Sequence, residues 1–193
     1  MWQQLHHALL DQLGREGQLD WSRASLDSLS VRAKRRGGLT GPNPTDRCKA
    51  GSMYHLLVDC GGIPPAVCLS AANTHDSLLL EAAVDAVAPV RGPRGRPGRP
   101  RTRPATLHGD KGDDSPRCRR ALRRRGIIPR IARCGIESSQ RLGRYRYVAE
   151  RSLAWLVATG GSRSVTSGAD VLLGFACLAC ALICLTSLNQ PKV

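Results

Sequence analysis

The sequence is short of acidic residues: 15 Asp and Glu stand against 29 Lys and Arg in 193 residues, a formal net charge of +14. An excess of that size favours a polyanionic partner, most often nucleic acid, through counterion release. Charge alone names no function, because a ribosomal or structural protein carries the same excess. The chain also lacks a signal peptide ahead of its 8 cysteines. Their one close group, Cys177-x2-Cys180-x3-Cys184, lacks the second pair or His partner that a zinc site requires. The better reading is buried free thiols in a reducing cytoplasm. Long apolar runs are missing except for Val171 to Leu188. That run sits at the lower margin for a membrane span and lacks flanking basic and aromatic anchors. It reads as a buried closing helix of a chain that does not enter a membrane. The competing reading, a small membrane-anchored protein, would show as detergent-dependent solubility.

What is present is enough for one domain with a real core and a small appendage, 41% of the residues being hydrophobic. Met1 to Gly17 has Trp2, Leu5, Leu9, Leu10 and Leu13 at helical spacing, with Gly14 and Gly17 as its end. Ala24 to Ala33 partly alternates and reads as a strand with Asp27 inside it. Lys34 to Gly51 is a polar, basic loop that either grips phosphate or is simply solvated. Ser52 to Cys60 alternates as a strand, Gly61-Gly62 turns, and Ile63 to Ser70 returns, giving a three-stranded antiparallel meander with the Asp27 strand. A helix follows from Ser77 to Val87. His75 before it is a ligand or, more commonly at a helix start, a hydrogen-bonded structural residue. Val90 to Pro104 is a low-complexity Pro, Gly and Arg segment, a surface linker and phosphate-contacting arm.

The stretch Leu107-His108-Gly109-Asp110-Lys111-Gly112-Asp113-Asp114 reads as a strand ending in an acidic turn, with Asp110 at the strand's carboxyl end. Such a carboxylate suits a metal ion. The plain alternative is a solvated turn, with Ser115-Pro116 capping the next helix. Arg117 to Arg125 is that helix and Ile127 to Ala132 a strand, so Asp110 lies in a parallel βαβ unit. Cys134 to Gly143 reads as a loop. A helix runs from Arg144 and places Arg146 and Glu150 four apart on one face, where a surface ion pair is the simplest reading. Gly160 to Gly168 breaks that helix as a flexible insert. Asp27 has its own alternative, a strand-end carboxylate in water, since an acidic residue inside a strand is costly unless paired or metal-bound.

Taken in order, Asp27, Asp110 and Glu150, with the phrases around them, resemble the DDE transposases of bacterial insertion sequences, in particular the insertion-sequence-five-like branch. The phrases are Asp20-Trp21-Ser22-Arg23-Ala24-Ser25-Leu26-Asp27-Ser28, Thr40-Gly41-Pro42-Asn43-Pro44-Thr45-Asp46-Arg47, Ala72-Asn73-Thr74-His75-Asp76, Gly109-Asp110-Lys111-Gly112 and Leu142 to Arg151. The resemblance implies an α/β, RNase H-like fold, a mixed sheet flanked by helices. It implies that Asp27, Asp110 and Glu150 are catalytic and hold two Mg²⁺ or Mn²⁺ ions for hydrolysis and strand transfer at transposon ends. It assigns DNA phosphate contact to Arg146, with Arg144 and Arg151 beside it on the helix; Lys34, Arg35 and Arg36 of the basic loop are further candidates for the same contact. DNA and further copies of the chain are the implied partners. Residues 1–19 become the remnant of an N-terminal region, truncated before Met1, and residues 20–188 the catalytic domain with its linker at 90–104. Three departures stand out: Gly143 and Val157 occupy the Tyr and Lys positions of the family's Tyr-x2-Arg-x3-Glu-x6-Lys signature, and Gly112-Asp113-Asp114 replaces the usual Gly-Tyr-Asp. A third acidic residue beside Asp110 is expected to repel it and disturb the metal shell. The alternative function is a non-catalytic, basic nucleic-acid-binding remnant of the same fold.

Overall fold

The computed structural model describes residues 1–33, 37–95, 98–133, 139–159, 164–165 and 168–190, without side chains at 139–144, 159 and 164–165. In chain order the elements are α1 (Trp2–Arg15), β1 (Ala24–Ala33), β2 (Gly41–Pro42), β3 (Ala50–Asp59), β4 (Ala66–Ala71), α2 (Asp76–Asp85), β5 (Thr106–Gly109), α3 (Pro116–Arg124), β6 (Ile128–Ile131), α4 (Ser139–Thr159), β7 (Ser164–Val165) and α5 (Ala169–Leu188). The five main strands lie in the order β4-β3-β1-β5-β6. Strand β3 runs antiparallel to both of its neighbours, whereas β5 is parallel to β1 and β6 to β5. An antiparallel meander continued by parallel, helix-linked strands is the RNase H-like arrangement that the family resemblance implied.

The sheet separates two cores because side chains alternate across a strand. Along β3, Leu57 turns to a cluster with Leu26, Leu80, Val84, Leu107, Cys118 and Leu122, beneath α2 and α3. Tyr54, Leu56 and Val58 turn the other way, to Ala149, Leu153 and Leu156 of α4 and Leu172, Ala176 and Cys180 of α5. Helix α1 closes the end of the molecule: Leu10 and Leu13 pack with Ile63, Val90 and Cys184. Helix α5 is long and apolar enough by length and composition to cross a membrane. It is only partly the buried helix expected, since Val171, Phe175, Leu182 and Leu185 face outward.

Several boundaries differ from the sequence expectation. The returning strand starts at Ala66 rather than Ile63, because Pro64 and Pro65 bring no N–H to a ladder. The 34–51 loop contains β2, paired with the start of β3. Helix α4 starts at Ser139 rather than Arg144, so Gly143 lies within the helix instead of ending the loop before it. The glycine-rich insert is not wholly irregular: Ser164–Val165 pairs in parallel with Arg32–Ala33. Helix α3 is capped as expected, Ser115 accepting from the Cys118 N–H with Pro116 in the first turn, and Cys177, Cys180 and Cys184 are buried free thiols.

Candidate active site

The parallel pairing of Ser25 with His108 sets the site. Two residues further on, β5 has ended, and Asp110 arrives beside Asp27 of β1. Asp110 does not continue the strand. Its carboxylate accepts the Gly112 N–H at 2.6 Å and caps a single 3-10 turn over Lys111–Asp113. The turn needs its glycines for close approach. A Cβ on Gly112 would lie 2.9 Å from Asp110 Oδ1, and one on Gly109 2.8 Å from Asp113 Oδ2.

Helix α4 crosses this point and supplies the positive charge. Arg146 Nη2 donates to Asp27 Oδ1 at 3.1 Å and stands 4.0 Å from Asp110 Oδ2. The guanidinium thus bridges the two carboxylates, which is more than the surface ion pair that its spacing from Glu150 suggested. Burial raises the pKa of Asp27, Arg146 opposes that rise, and Glu150 adds to it through its charge. Glu150 itself is exposed. It does not line the cavity that holds Asp27 and Asp110.

That cavity, about 10 Å³, is lined by Leu26, Asp27, Ser28, His55, Asp76, Asp110 and Asp113. Its volume suits one ion or water, not an organic ligand. Two of its carboxylates were not singled out by sequence reasoning for a role in the site. Asp76 opens α2, and its Oδ2 accepts from Ser28 Oγ at 3.0 Å. Ser28 faces His55 across the β1–β3 ladder, and His55 Nδ1 lies 3.9 Å from Asp76 Oδ1. Burial lowers the His55 pKa, partly offset by Asp76. Asp113 is 3% exposed. Burial, then the charges of Asp110 and Asp76, push its pKa up to about 7. The acid expected to repel Asp110 therefore carries a proton through most of the range below neutrality. Its neighbour Asp114 is engaged by Arg119 at 2.7 Å. Oδ1 of both Asp76 and Asp113 is buried without a hydrogen-bond partner. Among the described residues, no group of three or more His, Cys, Asp or Glu side chains is placed to hold a metal ion.

The remaining expected contacts fall elsewhere. Arg151 donates to the Gly61 carbonyl at 2.8 Å, on the β3–β4 turn. Lys34, Arg35 and Arg36 lie outside the described residues, as does the side chain of Arg144. Val157, at the signature's Lys position, packs against the α4–α5 core. His75 accepts from the Ser77 N–H as the cap of α2, the structural role its position suggested.

No family model matches the chain. A Burkholderia cepacia protein named as a transposase for insertion sequence element IS402 is 44% identical over 152 residues, 78% of this chain and 71% of that one. Among solved structures, the catalytic domain of Mos1 mariner transposase is 12% identical, covering 100% of this chain and 94% of that one, with a TM-score of 0.44. The catalytic core domain of BIV integrase is also 12% identical, covering 89% and 86%, with a TM-score of 0.41. A simian T-cell lymphotropic virus intasome chain, of which this chain spans about half (52%), gives 13% identity, 93% coverage of this chain and a TM-score of 0.47.

Proposed function

The chain belongs to the insertion-sequence transposases, and from that premise we propose that Asp27, Asp110 and Glu150 form its catalytic carboxylate set for DNA strand cleavage and transfer at the ends of an insertion element. The observation that carries the reading is the convergence of Asp27 and Asp110, from two parallel strands, on one guanidinium. The donor set fits a hard divalent cation: it is all oxygen, and the cavity beside it has two orphaned carboxylate oxygens. Asp27 and Asp110 would hold Mg²⁺ or Mn²⁺, and Glu150, one turn beyond Arg146 on α4, would complete the shell of a second ion. Bound there, such ions supply activation of the attacking oxygen and stabilisation of the leaving one.

The chain's own residues do the rest. Arg146 opposes the rise that burial imposes on the Asp27 pKa. The Asp110 cap fixes that carboxylate at the end of β5. Arg144, Arg146 and Arg151 on α4, with Lys34, Arg35 and Arg36, are assigned to the DNA backbone. The working form is a cytoplasmic homo-oligomer on DNA. One observation favours a second reading, in which only fold and charge remain: Glu150 stands outside the cavity that contains the two aspartates. The test is a nicking assay on labelled duplex in Mn²⁺. Cleavage that is lost in Asp110→Ala and in Glu150→Gln supports the enzyme. Binding without cleavage by the intact chain supports the remnant.

A further inference from the structure

The chain's arginines divide into two groups. Several in the described structure are matched to acids: Arg117 and Arg124 to Glu81, Arg125 to Glu81 and Asp85, Arg119 to Asp114, Arg32 to Asp46, and Arg15 and Arg91 to Asp11. Arg23 and Arg130 belong to the others, and their placement sets them apart. Among the described residues, neither has a carboxylate within ion-pair distance. They sit instead on either side of one neutral patch on the α4 face of the sheet, built by His108 and Tyr145.

Arg23, just before β1, lays its guanidinium 4.7 Å from the centroid of the Tyr145 ring. A stacked guanidinium keeps its five N–H donors in the plane, free for an oxygen-rich ligand. The same ring lies 5.0 Å from the His108 ring. Arg130, exposed on the edge strand, is the register partner of His108. His108 is 9% exposed, and its Nδ1 is buried with no hydrogen-bond partner. Both arginines reach this ring with their charge: after burial, Arg23 and then Arg130 lower its pKa. Asp20 feels Arg23 as well, but it is not ion-paired with it, and its carboxylate accepts the Ser22 N–H instead.

The patch is joined to the carboxylates on both sides. His108 precedes Asp110 by two residues, about 7 Å along a strand, and Tyr145 precedes Arg146 on α4. A single DNA strand advances 3.4 Å per nucleotide along its helix. The separation is therefore about two nucleotide steps. We propose that Arg23 and Arg130, on either side of the His108–Tyr145 rings, form a phosphate cradle. It grips the DNA strand next to the phosphodiester presented to Asp27 and Asp110. This rests on the transposase reading above and adds to it a binding surface outside the carboxylate set.

The experiment is binding of a labelled DNA duplex by fluorescence anisotropy, in EDTA so that no cleavage occurs, across 50–200 mM salt. Each phosphate contact removed should lower the slope of log K against log salt by about 0.9. Arg23→Gln and Arg130→Gln should each do so and weaken binding about fivefold at low salt, with the two effects adding in the double variant. Arg23→Lys should keep the slope, which separates lost charge from lost packing. Arg117→Gln, paired on α3, should change nothing. A wild-type slope in both Gln variants, or a loss no larger than that of Arg117→Gln, overturns the cradle while leaving the transposase reading intact. Failure of the intact chain to bind DNA with any salt dependence overturns both.

Discussion

Asp113 offers the sharpest check on the energetics of the site. Its carboxyl is raised from 3.8 to about 7, chiefly by burial and then by Asp110 and Asp76. The folded state therefore holds a proton on Asp113 that the unfolded chain releases near pH 4. Between those values the native chain binds more protons, so stability falls as pH rises. The contribution is full below pH 4 and lost once pH passes about 7. At 1.36 kcal/mol per pH unit, the whole effect is worth roughly 4 kcal/mol. Asp113→Asn keeps the shape and removes the titration. The variant should match the native chain at pH 4 and exceed it by about 2–4 kcal/mol at pH 8 in urea unfolding without metal. The excess should shrink when Asp76→Asn is added, because one of the charges acting on Asp113 is gone. Parallel stability curves for the native chain and Asp113→Asn from pH 4 to 8 would refute the reasoning.

Three further perturbations probe the scaffold and the charge balance. Asp59 accepts the backbone N–H groups of Asp20, Gly61 and Ile63 at 2.8–3.0 Å; Asp59→Ala should cost about 2–3 kcal/mol in urea unfolding, and Asp59→Asn less than half of that. A Cβ on Gly14 would meet the Arg91 carbonyl oxygen at 2.2 Å, so Gly14→Ala should lower stability by about 1–3 kcal/mol, read as a lower melting temperature. Arg146→Ala removes the group that opposes the raised pKa of Asp27; the Asp27 carboxyl should then titrate at higher pH by carbon-13 NMR, and an unchanged value would dissociate Arg146 from the site.

Much of this architecture is legible in local pattern, and what is not depends on distant pairing. The alternation of Ser52 to Cys60 reveals β3, and the Ser115-Pro116 start reveals α3. Asp27 and Asp110 are conspicuous as acids at a strand interior and a strand end. Asp76 belongs to their cavity only because Ser28 faces His55 across the ladder, a register that no local window contains. Asp113 reads from sequence as a repelling charge, and only its burial shows that it holds a proton. Gly143 reads as the end of the loop before α4, yet α4 runs through it. Arg23 lies 122 residues from Tyr145 in the chain but stacks on its ring, a contact that periodicity cannot register.

The central claim is that Asp27, Asp110 and Glu150 work as a cation-binding set. The most direct measurement is thermal unfolding of the chain with and without Mn²⁺, beside Asp110→Ala. Binding to the native state alone must raise the melting temperature, by about 2.7 kcal/mol of stability at a hundredfold excess over Kd. The account predicts a rise in the native chain that is lost in Asp110→Ala. A cooperative melt that ignores Mn²⁺, or a rise that survives the substitution, would contradict it.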